Sequence, residues 1–174
     1  ERVVQDNFTL MAWIKADEPG IQANNEAYGG SGLIWSDVSG VADDFVLAVL
    51  GKKLSFFIGD ANPSITSAKD VVTGSWVHVA AVRDASGGEI ALYIDGEQDV
   101  AAPGYDASVD DNPIIDIGSN VLDSRYYKGL IDEVKIFDVA LTGDEIQQAS
   151  SPAPVESTGK LAVTWAKIKK CDVN

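Results

Sequence analysis

Hydrophobic and polar residues alternate along most of this chain, and turn residues interrupt the alternation at short intervals. Phe8, Leu10, Ala12 and Ile14 share one parity and Thr9, Met11, Trp13 and Lys15 the other, the period-two pattern of a half-buried strand. Asp17-Glu-Pro-Gly20 ends that strand with residues that favour turns. A long polar segment, 21–31, precedes a second strand at 32–36. Strands over 45–50 and 53–58 flank Gly51-Lys52, which predicts a two-residue hairpin with glycine first. Further strands are predicted over 76–83, 90–94, 97–101, 114–118 and 126–137, and Asp95-Gly96 predicts a type I′ turn. One helix is predicted from Gly143 to about Ala149, with Thr142 as N-cap, Glu145 completing a capping box and Asp144 suiting the helix dipole. A Ser- and Pro-rich linker, 150–159, leads to a last strand over 160–169 that returns to the sheet. About ten short strands with a single short helix predict one all-β domain over 1–174, an antiparallel β-sandwich.

Charge and composition narrow the function. The net charge is −14, from 27 acidic and 13 basic residues, which disfavours nucleic acid and anionic membranes as partners. The acidity fits a solvated surface, or carboxylates that gather hard cations such as calcium. Hydrophobic residues make up 45 %, enough for one sizeable core. No apolar run approaches the ~20 residues that span a bilayer. With neither an initiator methionine nor a leader at Glu1, the chain is expected to be a mature or excised fragment. The single cysteine, Cys171, leaves stability to the core or to metal rather than to an internal disulfide.

The stretch 128–146 poses a chemical question. Read with period two, Leu130, Asp132, Val134 and Ile136 share one face, and Glu133 and Lys135 the other. Asp132 is therefore expected among aliphatic residues. A buried carboxylate is costly unless hydrogen-bonded, paired or bound to a metal. Backbone amides and a metal ion are the two partners to consider.

Four motifs occur in order: Phe8-Thr-Leu-Met-Ala-Trp-Ile-Lys15, Gly74-Ser-Trp-Val-His-Val-Ala-Ala-Val-Arg-Asp84, Ile90-Ala-Leu-Tyr-Ile-Asp-Gly96 and Gly129-Leu-Ile-Asp-Glu-Val-Lys-Ile-Phe137. Together they resemble the laminin-G-like domain of the concanavalin A-like lectin/glucanase superfamily, from about Phe8 to Ala149. Lys160-Leu-Ala-Val-Thr-Trp165 resembles the ending of such domains in environmental bacterial proteins. The resemblance implies a jelly roll of two antiparallel sheets that binds carbohydrate, glycoprotein or adhesion partners, often with calcium. It implies that Asp132 helps to hold a structural calcium together with backbone carbonyls. It also implies a segment upstream of the first motif that this chain starts too late to contain, and so an unpaired sheet edge.

Candidate ligands follow from loop chemistry. Asp37, Asp43 and Asp44 share one loop, and Asn120 and Asp123 another; oxygen-only donors suit calcium at a sandwich rim, whereas ordinary polar turns explain each residue taken singly. No His/Cys cluster suits zinc. Trp13, Trp35, Trp76, Tyr126 and Tyr127 are the aromatics to weigh for stacking on sugar rings, with Arg125 as a hydrogen-bond donor. Trp76 opens a motif strand and is expected in packing; Tyr126 and Tyr127 have opposite parity, so one should face outward. His78 lies between Val77 and Val79 and is expected to be packed. A serine triad lacks support, and no strand carries acidic residues at the alternating positions that a glycosidase needs. The expected function is therefore non-catalytic: calcium-assisted recognition of carbohydrate or glycoconjugate by an extracellular or cell-surface bacterial protein. Adhesion to a protein partner is the alternative, and a degenerate polysaccharide-cleaving enzyme comes last.

Overall fold

The computed structural model describes residues 4–37, 44–59, 64–104, 108–109, 114–119 and 124–151. The expected strand at 160–169, together with Asp43, Asn120 and Asp123, lies outside them. The first sheet holds β1 (Phe8–Ala16), β6 (Val77–Asp84), β7 (Glu89–Ile94), β8 (Glu97–Pro103) and β10 (Gly129–Phe137), in the order β10-β1-β6-β7-β8. The second holds β2 (Ser31–Ser36), β3 (Phe45–Leu50), β4 (Lys53–Ile58), β5 (Ile65–Asp70) and β9 (Asp116–Ile117), in the order β5-β4-β3-β2-β9. All strand pairs are antiparallel. The sheets stack as a sandwich, with β5 touching β8 at one side and the Gly118 end of β9 meeting Ile131 of β10 at the other.

Both tight hairpins form as their residues dictate. Gly51 takes φ 58°, the first position of a II′-like turn, while Asp95 and Gly96 take φ 52° and 82°, as a type I′ turn requires. The β5 strand carries no alternation in the sequence to announce it. Its buried positions are Ile65 and Ser67, and the Ser67 hydroxyl accepts from Leu54 N (3.0 Å) and donates to Lys69 O (2.8 Å). A polar side chain thus bridges the irregular pairing with β4 that hydrophobic pattern alone would not reveal.

Inward residues of both sheets form the main core, centred on Phe8, whose ring lies 5.0 Å from Phe45 and 6.3 Å from Phe56. A second cluster lies on the outer face of the first sheet, where Ile146 of the helix α1 (Gly143–Ala149) packs on Met11, Ala80, Val82, Ala91 and Tyr93. Seven residues are too few to hold a helix by themselves, so this contact and the N-cap hold it. Thr142 N donates to Glu145 Oε2 (2.8 Å) and Glu145 N to Thr142 Oγ1 (3.4 Å), the expected capping box. The bonds that the Glu145 carboxylate accepts from Thr142 N and Thr142 Oγ1 hold it below its ordinary pKa. Thr142→Ala should cost about 1 kcal/mol, readable as a lowered urea midpoint with unchanged m-value.

On β10 the structure departs from simple alternation. Met11 pairs with Lys135 but Trp13 with Asp132, so Glu133 and Val134 together oppose Ala12 as a bulge, with Glu133 at φ 50°. The extra residue swaps faces midway. Ile131 pairs with Ile14 and Ile136 with Leu10, both on the inward side, while Asp132 joins Trp13 on the outer face. Asp132 is therefore exposed, not buried among aliphatic residues, and its Oδ1 accepts from Glu133 N (2.8 Å). The expected inward carboxylate is corrected: one inserted backbone residue turns it to water.

Candidate functional site

The outer face of the second sheet is roofed by the segment between β1 and β2. Gly20 N donates to Gly51 O (2.8 Å), and a Cβ at Gly20 would collide with Val49 O, so only glycine lets the segment descend there. Ile21 N donates to Ser31 Oγ (3.0 Å), and Ala27 N to Ser64 Oγ (2.8 Å). Ser64 N in turn donates to Glu26 Oε2 (2.8 Å). Beneath this roof Ala27, Trp35, Val46 and Ala48 form a third buried cluster, with Phe57 packed against it. Trp35 is only 2 % exposed, and its Nε1 has no partner among the described residues. Its expected stacking on a ligand is corrected: the roof buries the indole.

The exposed aromatic surface lies at the edge of that roof. Tyr28 meets Phe57 edge-on, ring centroids 5.5 Å apart at 81°, and stays 37 % exposed. Arg125 donates through Nη1 to the Tyr28 carbonyl, tying the approach to β10 onto the roof. Gly32 N donates to Arg125 O (3.3 Å), and Gly32 bridges Tyr126, which is 53 % exposed. Arg125, Tyr126, Tyr28 and Phe57 thus rim one face. Tyr127 has the opposite parity and packs on the main core, as expected of the pair. Burial, with Asp17 nearby, pushes its phenol above the ordinary pKa, and its hydroxyl has no partner among the described residues.

Several carboxylates lie toward one end of the second sheet. The pairing of β2 with β3 ends at Ser36 opposite Phe45, and Asp37 and Asp44 are the next residues along each chain segment. Asp44 is 1 % exposed, and Asp37 half-buried. Asp116 pairs with Trp35 and shares its outward face, and Glu26 is held over the β5 end by Ser64. Among the described residues no three His, Cys, Asp or Glu side chains converge closely enough to hold an ion. Asp132 stands apart from this group, on the other sheet.

The remaining aromatics are structural. Trp13 donates from Nε1 to Ser150 O (3.2 Å), and His78, 2 % exposed, lies edge-on to it at 5.4 Å. Trp76 is half-buried just ahead of β6. Glu26, Tyr28, Phe57 and Asp116 escaped the sequence reading. For Phe57 the signal was present, since it alternates with the core residues Phe56 and Ile58 and must face out. For Glu26, Tyr28 and Asp116 none was, because a roof segment and a two-residue strand show no period.

Comparisons with known proteins agree with this architecture. Over 147 residues the chain is 26 % identical to Adhesion G-protein coupled receptor V1 of Danio rerio, a match covering 82 % of the chain and 2 % of the receptor. The CBM40 of Ruminococcus gnavus IT-sialidase, bound to alpha2,3 sialyllactose, superposes with a TM-score of 0.67 at 15 % identity, over 86 % of this chain and 85 % of that one. Domain 4 of AbnA, a GH43 extracellular arabinanase from Geobacillus stearothermophilus, in complex with arabinotriose, superposes with a TM-score of 0.61 at 19 % identity, over 85 % and 68 %. At these identities the solved structures speak for the fold. A family model of laminin-G type matches residues 2–147, nearly the whole of the described sandwich, and so the chain belongs to the laminin-G-like branch of the concanavalin A-like lectin/glucanase superfamily.

Proposed function

We propose that this domain is a non-catalytic binding module of an extracellular or cell-surface protein, taking carbohydrate or glycoconjugate on the outer face of the second sheet. The Tyr28–Phe57 pair carries the reading: a half-exposed phenol braced edge-on by a second ring, beside the guanidinium of Arg125 and the exposed Tyr126. Rigid aromatic planes receive the C–H faces of sugar rings, while a few placed polar groups select hydroxyls. The solved structures with sialyllactose and arabinotriose support the same ligand class. Calcium would sit at the carboxylate end, held by Asp37 and Asp44, whose oxygen donors suit a hard cation. Asp43, in the same loop, would add to them. Asp132, exposed on its bulge, is the weaker candidate. Neither Asp95, which shapes a turn, nor Asp132, which stands on the other sheet, supports the glycosidase alternative.

A glycan array run with and without chelator tests this. The wild-type chain should bind at least one glycan, Tyr28→Ala should weaken that binding tenfold or more, and Asp44→Asn should remove its calcium dependence. If no glycan binds in either condition, the sugar reading fails. The reading then passes to adhesion with a protein partner, which the match to an adhesion receptor favours.

A further inference from the structure

The outward residues of the second sheet form a continuous row. Phe57 of β4 pairs with Val46 of β3, Val46 with Trp35 of β2, and Trp35 with Asp116 of β9, so the four lie side by side across the strands. With adjacent strands about 4.8 Å apart, the row runs ~14 Å from ring to carboxylate. Its middle is buried under the roof, while Phe57 and Asp116 at its two ends are partly exposed. Tyr28 packs on the Phe57 end. Tyr126 bridges Gly32 on the side of β2 that β9 also takes, and so belongs to the Asp116 end.

We propose that the ligand of this face is an uncharged glycan and that the face rejects sugars bearing a carboxylate, an inference that rests on the carbohydrate reading above. Each exposed ring has an acid beside it. Glu26 stands two residues before Tyr28, and Ser64 N, donating to its Oε2 (2.8 Å), fixes that carboxylate at the roof margin. Asp116 supplies the second, at the Tyr126 end of the row. The neighbouring cation is already engaged. Arg125 donates through Nη1 to the Tyr28 carbonyl, and its own carbonyl accepts from Gly32 N, so the residue ties roof to sheet. A guanidinium selects a carboxylate by presenting its N–H fork to the ligand; here part of that fork holds the backbone.

The charge of the whole chain acts in the same direction. At −14 the protein repels an approaching anion before any contact forms. Like charges set against a ligand are a common way of excluding it. Calcium at Asp37 and Asp44 would leave Glu26 and Asp116 charged. A neutral sugar meets neither penalty: its hydroxyls can donate to these two carboxylates while its C–H faces lie on Tyr28 and Tyr126, which are 37 % and 53 % exposed.

Matched glycan pairs test the proposal, each an uncharged oligosaccharide and the same oligosaccharide bearing one sialic acid or one uronate. The uncharged member should bind the full chain about tenfold or more tightly, with and without calcium. That preference should narrow about threefold in the double variant Glu26→Gln/Asp116→Asn, which keeps the size of both side chains and an acceptor for Ser64 N. It should narrow likewise in the wild type at about 1 M ionic strength, where charges are screened within about 3 Å. Equal or tighter binding of the acidic member overturns the proposal and leaves the carbohydrate reading standing, as does a preference that neither the variant nor salt moves. Binding of no glycan at all overturns both.

Discussion

Phe8→Ala is expected to lower the unfolding free energy by about 4 kcal/mol, the middle of the range for an aromatic removed from a packed interior. Phe8 has no exposed surface, stands between Phe45 and Phe56 of the facing sheet, and lies under the Arg83 guanidinium, whose carbon is 6.0 Å from the ring centroid. Arg83 is itself fully buried and donates through Nη1 to Gln5 O. Truncation removes the transfer free energy of the ring, leaves a cavity bounded by two rigid sheets that cannot collapse into it, and strips apolar cover from a buried cation. Phe8→Leu keeps most of the volume and should cost under about 1.5 kcal/mol. Urea unfolding of both variants measures the difference. A loss below about 1 kcal/mol for Phe8→Ala, well under the cavity range, would mean that the two sheets slide to fill the space, and that the sandwich is far softer than its packing indicates.

The second large effect is on acid stability, and it comes from His78. Its ring is 2 % exposed beneath Trp13, and Nδ1 has no partner among the described residues. Burial lowers its pKa from 6.5 to about 4; Lys135 pushes the same way, and Asp95 opposes them. Between those two values the unfolded chain binds a proton that the folded chain refuses. Stability from this group is therefore complete above pH 6.5 and is lost as pH falls toward 4, a change of about 3 kcal/mol. His78→Phe should flatten the stability profile between pH 6.5 and 4 while leaving stability near neutral pH little changed. A wild-type profile flat over that window, after subtracting the carboxylate contribution seen in His78→Phe, would show that the imidazole reaches water. The same residue illustrates how packing creates chemistry. The strand pattern set His78 on the face opposite Val77 and Val79, but its burial came from Trp13, which the end of α1 holds in place.

Much of the scaffold was legible because its determinants are local. Asp95-Gly96 and Gly51 carry the backbone freedom their turns require, and Thr142 and Glu145 are three residues apart, the separation a capping box needs. The β1 residues Phe8, Leu10, Ala12 and Ile14 all face the core, as their parity demands. The candidate site was less legible. Parity set one of Tyr126 and Tyr127 outward, and only the structure shows that it is Tyr126. Trp35 was misjudged because parity says only that it faces away from the main core, and says nothing of what lies over that face. The cover is the roof segment around Ala27, whose polar, aperiodic sequence gives no sign that it folds back onto the sheet.

By itself the amino-acid order determined most of the strands, their tight turns and the capped helix, since each rests on periodicity or on dihedral preferences within a few neighbouring residues; the family was legible only as a resemblance of four ordered motifs. Tertiary structure alone decided that Asp132 meets water, because a bulge exists only relative to a partner strand and shifts every later side chain to the other face. It also decided that β5 is a strand, through Ser67 bonding across to Leu54, and that Glu26, Tyr28, Phe57 and Asp116 share one surface. Such outcomes depend on what each segment is laid against, and contacts between residues far apart in the chain leave no period to read.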